Sequence, residues 1–211
     1  MSKLERDFYL RKADLVAPNL LGKVLVHKSA DGVTSGIIVE VEAYIGPEDK
    51  GSHAYLNKRT VRTEIQFGNG GYAYIYTIYG LHYCFNVVTN KENKPEVVLI
   101  RAVEPVNGLE LMKKRRKIQN TLELCNGPGK LCAALGISNA NYGDDLCGDT
   151  LFIEDYLDIP LSNIVISPRV NIDYAEEYKD VYWRYYIKDN KYVSKVNKKY
   201  SSNITLEMFQ A

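Results

Sequence analysis

Alternation of apolar and polar positions is clearest over residues 33–44, VTSGIIVEVEAY. A two-residue period predicts a strand with Ile37, Val39, Val41 and Ala43 on one face and Ile38, Glu40, Glu42 and Tyr44 on the other. The shorter apolar run 23–27 and the Asp-Gly turn chemistry of 29–32 make it the return arm of a hairpin. Upstream, Phe8, Leu15, Val16, Leu20 and Leu21 predict a short helical lead-in, interrupted at Pro18 and ended by Gly22. Residues 48–62 fit neither period and read as a loop. Alternation resumes after Gly68, Gly70 and Gly71: Tyr72, Tyr74 and Tyr76 share a face, Tyr79-Gly80 forms a hairpin tip, and His82, Cys84 and Asn86 share a face of the next strand. The run 96–103 is a buried strand broken only by Arg101, which must be paired or face a polar cavity.

Beyond Pro105 the period becomes helical, with Leu109, Met112 and Ile118 on one face and a basic run at 113–117. A second helix follows Gly127-Pro128-Gly129, from Lys130 to Leu135, closed by Gly136. Late strands are expected at 164–166 and 183–187. Antiparallel hairpins flanked by a few helices predict an α+β fold with a curved, mainly antiparallel sheet, in one domain over 1–211.

Composition adds limits. The 211 residues are 45 % hydrophobic and 25 % charged, which suits one sizeable core. A net charge of +1 gives no global positive field, so any polyanion contact must come from local clusters. The stretch 144–158 holds six acidic residues and no Lys or Arg, and should face away from a polyanion. From about residue 188 a basic tail follows, with Lys188, Lys191, Lys195, Lys198 and Lys199 against Asp189 and Glu207. Lacking a basic-then-apolar leader and any run near ~20 apolar residues, the chain is expected to be soluble and cytoplasmic, without membrane contact. Cys84, Cys125, Cys132 and Cys147 form no CxxC pair, so they read as buried small side chains, and no metal site is expected.

Two carboxylates and a ring on one strand face could floor a chemical site or simply form an acidic solvated surface. Lys130 at a helix start could receive a phosphate, but GPGK lacks the spacing of a nucleotide-binding P-loop. The 113–117 run could track phosphates or be a solvated helix face.

Seven strings in order carry a resemblance: LLGK (20–23), EAYIGPEDKGSH (42–53), YIYTIYGLHYCFN (74–86), LIRAVEP (99–105), GLELMKKRR (108–116), LCNGPGKLCAAL (124–135) and SPRV (167–170). Together the sequence resembles the alkyladenine (3-methyladenine) DNA glycosylases shared by vertebrates and bacteria. The resemblance implies excision of alkylated or deaminated purines from double-stranded DNA, without metal or cofactor, by a monomer that is nucleoid-associated in a bacterium. It implies that Glu42 activates the attacking water with Arg101 beside it. Tyr44, His53 and Tyr76 would enclose the flipped base, Asn86 would screen its two-position, and Tyr79 would wedge into the duplex. Arg59 and Arg62, like Lys130, are candidates for the DNA backbone. The family pattern RxTxRNxxMF is altered here: Lys58 and Thr63 replace Arg and Asn, and Gln66 replaces Met before Phe67. These positions are expected beside the wedge. The alternatives are a carbohydrate glycosidase using Glu40 and Glu42 as acid and base, and a non-catalytic binder of damaged DNA.

Overall fold

The computed structural model describes residues 1–195. The expected lead-in forms α1 (Arg6–Tyr9) and α2 (Ala13–Leu20). Pro18 does not interrupt α2. The N–H it lacks would have met the first-turn carbonyl of Asp14, and the helix continues to Leu20. The chain then turns at Gly22, where φ is +83° and an added Cβ would lie only 2.6 Å from the Leu157 carbonyl oxygen.

Strands β1 (Val24–Ser29) and β2 (Gly32–Ile45) form the first hairpin, and β3 (Ala73–Ile78) and β4 (His82–Thr89) the second. β5 (Glu96–Asn107) runs longer than its apolar stretch and leads into α3 (Leu109–Arg116) and α4 (Pro128–Leu135). A left-handed Gly136 closes α4. β6 (Leu151–Glu154), β7 (Ile164–Ser167) and β8 (Arg184–Ile187) complete the sheet. β6 lies inside the acidic stretch, where four residues are too few to show a period. Part of that acidity is neutralised locally: Lys23 bonds Asp155 at 2.5 Å and Asp158 at 2.7 Å, and Arg6 bonds Asp145 at 2.6 Å. Lys198, Lys199 and Glu207 of the expected basic tail lie outside the described residues.

The sheet order is β3-β4-β5-β2-β1-β6, with β7 joined through β8, and every strand pairing is antiparallel. The fold is α+β. β2 is the hub. One edge carries β5, while the other is shared by β1, opposite Gly32 to Ile37, and β8, opposite Glu40 to Glu42. α2 packs on β2, α4 on β4, and α3 on α4. Between these helices and the sheet, Leu20, Ile38, Val41, Phe85, Ile100, Met112 and Leu131 are buried, each contributing about 1.5–3 kcal/mol. Cys125 and Cys132 belong to the same core.

The expected faces of β2 are corrected by two bulges. Ile38 pairs with Val103, Glu40 with Ala102 and Val41 with Ile100, so Val39 on β2 and Arg101 on β5 have no opposite number. Each extra residue shifts the alternation by one. Ile38 therefore joins Val41 and Ala43 in the main core, while Val39 packs on the other side with Ala102 and Tyr186. The expected grouping of Ile38 with the two glutamates fails for this reason.

Candidate active site

The paired bulges aim three charged side chains at one another. Arg101 donates from Nε to Glu40 Oε1 at 2.8 Å and from Nη1 to Glu42 Oε2 at 3.3 Å. Arg184, brought in by β8, donates from Nε to Glu40 Oε1 at 2.8 Å. Ser194 adds its backbone N–H to Oε2 at 2.6 Å and its hydroxyl to Oε1 at 3.0 Å. Two buried carboxylates thus face two buried guanidiniums, a balanced set in a place where an unpaired charge would be costly. Burial opposes ionisation of Glu40, but Arg101 and Arg184, helped by Ser194, outweigh it and hold its carboxyl below the usual range.

Glu42 is 0 % exposed and is bonded differently. Oε1 accepts from the Val170 N–H at 2.7 Å, and Oε2 accepts from the Tyr44 hydroxyl at 2.9 Å and from Arg101. All three partners are donors, and a carboxylate has about four acceptor positions, so one remains open on Oε1. Burial, reinforced by Glu42, raises the Tyr44 phenol well above its ordinary pKa and keeps its proton in place.

Tyr44 joins this charged cluster to a small cavity that opens to solvent. His53, Gln66, Tyr74, Tyr76, Asn86 and Tyr174 also line it. The His53 and Tyr76 rings meet edge to face at 4.6 Å, and His53 Nδ1 lies 2.7 Å from the Tyr74 hydroxyl. Burial, aided by Arg62 and Lys58, lowers the His53 pKa to about 4, so its imidazole is neutral at pH 7. Asn86 donates to the Tyr74 carbonyl at 3.1 Å. The far face of Tyr44 is covered by Arg169, 4.5 Å from the ring centre, which is clamped by Asp49 at 2.5 and 2.7 Å.

Of the residues singled out in the sequence, Glu42, Arg101 and Tyr44 are in direct contact, and Tyr44, His53, Tyr76 and Asn86 line one cavity. Tyr79 stands apart from these at the β3-β4 tip, 90 % exposed with φ +54°, next to exposed Leu81. Arg62 is exposed near His53. Arg59 is held by Glu64 at 2.6 and 2.8 Å, and Lys130 bonds Asn126 at 2.8 Å. In the basic 113–117 run, Arg115 and Arg116 turn inward to the carbonyls of Ala134 and Leu124. Gln66, expected beside the wedge, lies in the cavity wall.

Sequence reasoning assigned no role to Arg169, Val170, Tyr174, Arg184 or Ser194. Only the SPRV string, which contains Arg169 and Val170, carried a signal of this cover.

The family model for methylpurine-DNA glycosylases matches residues 7–191. The chain is 53 % identical over 204 residues to a Clostridium acetobutylicum protein, covering 93 % of this chain and 99 % of that one. It is 50 % identical over 202 residues to a Desulfitobacterium hafniense protein, covering 92 % and 99 %. Both relatives are named "putative 3-methyladenine DNA glycosylase".

Proposed function

The chain belongs to the methylpurine-DNA glycosylase family, DNA repair hydrolases that act on the N-glycosyl bond in base excision, and on that premise we propose a residue-level mechanism. A damaged purine leaves the duplex, at a cost of a few kcal/mol that is least for damaged bases. Tyr79 enters the space it vacates, and stacking against Tyr44 and Tyr76, about 1–3 kcal/mol per base, offsets the extrusion. A neutral His53 at the same wall does not repel a cationic alkylpurine, as an imidazolium would. Asn86 screens the purine two-position, and Arg62 with Lys130 meets the backbone. Arg59 holds Glu64 through Nε and Nη2, which leaves Nη1 for a phosphate.

Glu42 accepts the proton of the attacking water at its open Oε1 position and stabilises the oxocarbenium-like sugar by its charge. Arg101 fixes that carboxylate. The product is free base and an abasic site without strand cleavage. Alkylated purines are the primary class; deaminated purines, being neutral, need protonation of the leaving base. One copy supplies every residue of the site, which suits a monomer working on DNA in the cytoplasm. Among the described residues no helix is long and apolar enough to cross a membrane.

The observation that carries this reading is the single hydrogen bond from Tyr44 to Glu42, which ties a cavity wall to a buried carboxylate two residues away. It also disfavours a carbohydrate glycosidase using both glutamates. Glu40 accepts four hydrogen bonds from Arg101, Arg184 and Ser194, and the two guanidiniums hold it ionised, without the proton an acid role needs. The test is base release from duplexes bearing 3-methyladenine, 7-methylguanine, hypoxanthine or ethenoadenine. Free purine with an alkali-labile intact strand is expected; release of sugar from an oligosaccharide and no purine would overturn the reading.

A further inference from the structure

Gln66 lies in the 3-10 turn Glu64–Phe67, is 1 % exposed, and lines the cavity beside Tyr74 and Asn86. Neither its Oε1 nor its Nε2 has a hydrogen-bond partner. Its amide approaches the Tyr74 hydroxyl without the geometry of a hydrogen bond, and that hydroxyl is already engaged by His53 at 2.7 Å. A buried amide left unsatisfied is costly, and such a group in a native fold calls for a partner outside the chain.

Resting on the base-extrusion reading above, we infer that Gln66 is a specificity residue whose amide oxygen accepts a hydrogen bond from the exocyclic amino group of an extruded adenine-type base. Adenine presents an N6–H donor flanked by the acceptors N1 and N7, and glutamine pairs such a donor and acceptor together. 3-Methyladenine keeps that amino group. In 1,N6-ethenoadenine the same nitrogen lies in a ring and carries no hydrogen, so the amide oxygen meets no donor. A site built around a polar group discriminates against the analogue lacking its partner.

The test is kcat/KM for base release from 3-methyladenine and ethenoadenine duplexes by the wild-type chain, Gln66→Met and Gln66→Leu. A bidentate amide contact is worth about 5- to 150-fold in discrimination, so both variants should lose at least about fivefold on 3-methyladenine while ethenoadenine release stays within about twofold. An unchanged ratio between the two bases, whether both rates hold or both fall together, would overturn the inference and leave Gln66 a packing residue. Failure of the wild-type chain to release either base would instead overturn the base-release reading on which it rests.

Discussion

Replacing Glu42 by glutamine separates chemistry from architecture, and the hydrogen bonds set what each should lose. The carboxylate receives Val170 N–H, Tyr44 O–H and Arg101, all donors. An amide must turn its NH2 toward at least one of them, costing about 1–3 kcal/mol. It also leaves Glu40 alone against Arg101 and Arg184. For a chain of this size, about 2–4 °C of Tm is lost per kcal/mol, so Glu42→Gln should melt up to roughly 10 °C lower and still fold. General-base action contributes about 10²–10⁴ in rate, and charge stabilisation about 10²–10³. Since one group supplies both and such effects do not add, the expected fall lies between about 10², the least for either alone, and about 10⁷, the full product. Single-turnover release of 3-methyladenine, with enzyme in excess, reads the chemical step. Anisotropy with an uncleaved lesion duplex reads binding, which should change only a few-fold. A folded Glu42→Gln chain that excises within about tenfold of wild type would refute the assignment, since either contribution alone exceeds that.

Three further outcomes are expected. Tyr79→Ala should weaken binding to a lesion duplex by about 5- to 150-fold, the worth of one stacked ring, with Tm unchanged because the side chain is 90 % exposed; intact affinity and excision would dismiss the wedge. His53 titrates near 4 when folded, against an ordinary value of 6.5. The unfolded chain therefore binds its proton first, and stability should fall by about 2 kcal/mol between pH 7 and pH 5. Urea titrations of His53→Gln should lack that increment, and parallel pH curves for the two proteins would contradict the buried neutral histidine. Asp49→Asn should cost about 3–5 kcal/mol, or roughly 6–20 °C in Tm, because it leaves the Arg169 guanidinium buried without its carboxylate; a shift below 2 °C would show the pair to be dispensable.

The two hairpins, the long β5 and the α3 and α4 helices were legible because their periods run long enough to register. The bulges at Val39 and Arg101 were not: a single extra residue leaves the apolar pattern plausible while exchanging the faces beyond it. Glu42, Tyr44 and Arg101 could be named from their motifs, yet nothing local distinguished Glu42 from Glu40. That distinction comes from Arg184, Ser194 and Val170, which lie far along the chain and meet the strand only by tertiary pairing. Gln66 was visible as a departure from the family pattern, but its place in the cavity wall depends on a short 3-10 turn without periodicity.

The sharing of one β2 edge between β1 and β8 also sets a timetable. β1 and β5 reach β2 early in synthesis, whereas the Arg184–Glu40 bond spans 144 residues and the Ser194–Glu40 bond 154. At about 5–20 residues per second, the strand that carries Glu42 waits roughly 7–30 s on the ribosome before its neighbouring carboxylate is fully capped. A nascent chain therefore contains most of the residues of the cavity wall well before it contains those that complete the charge network.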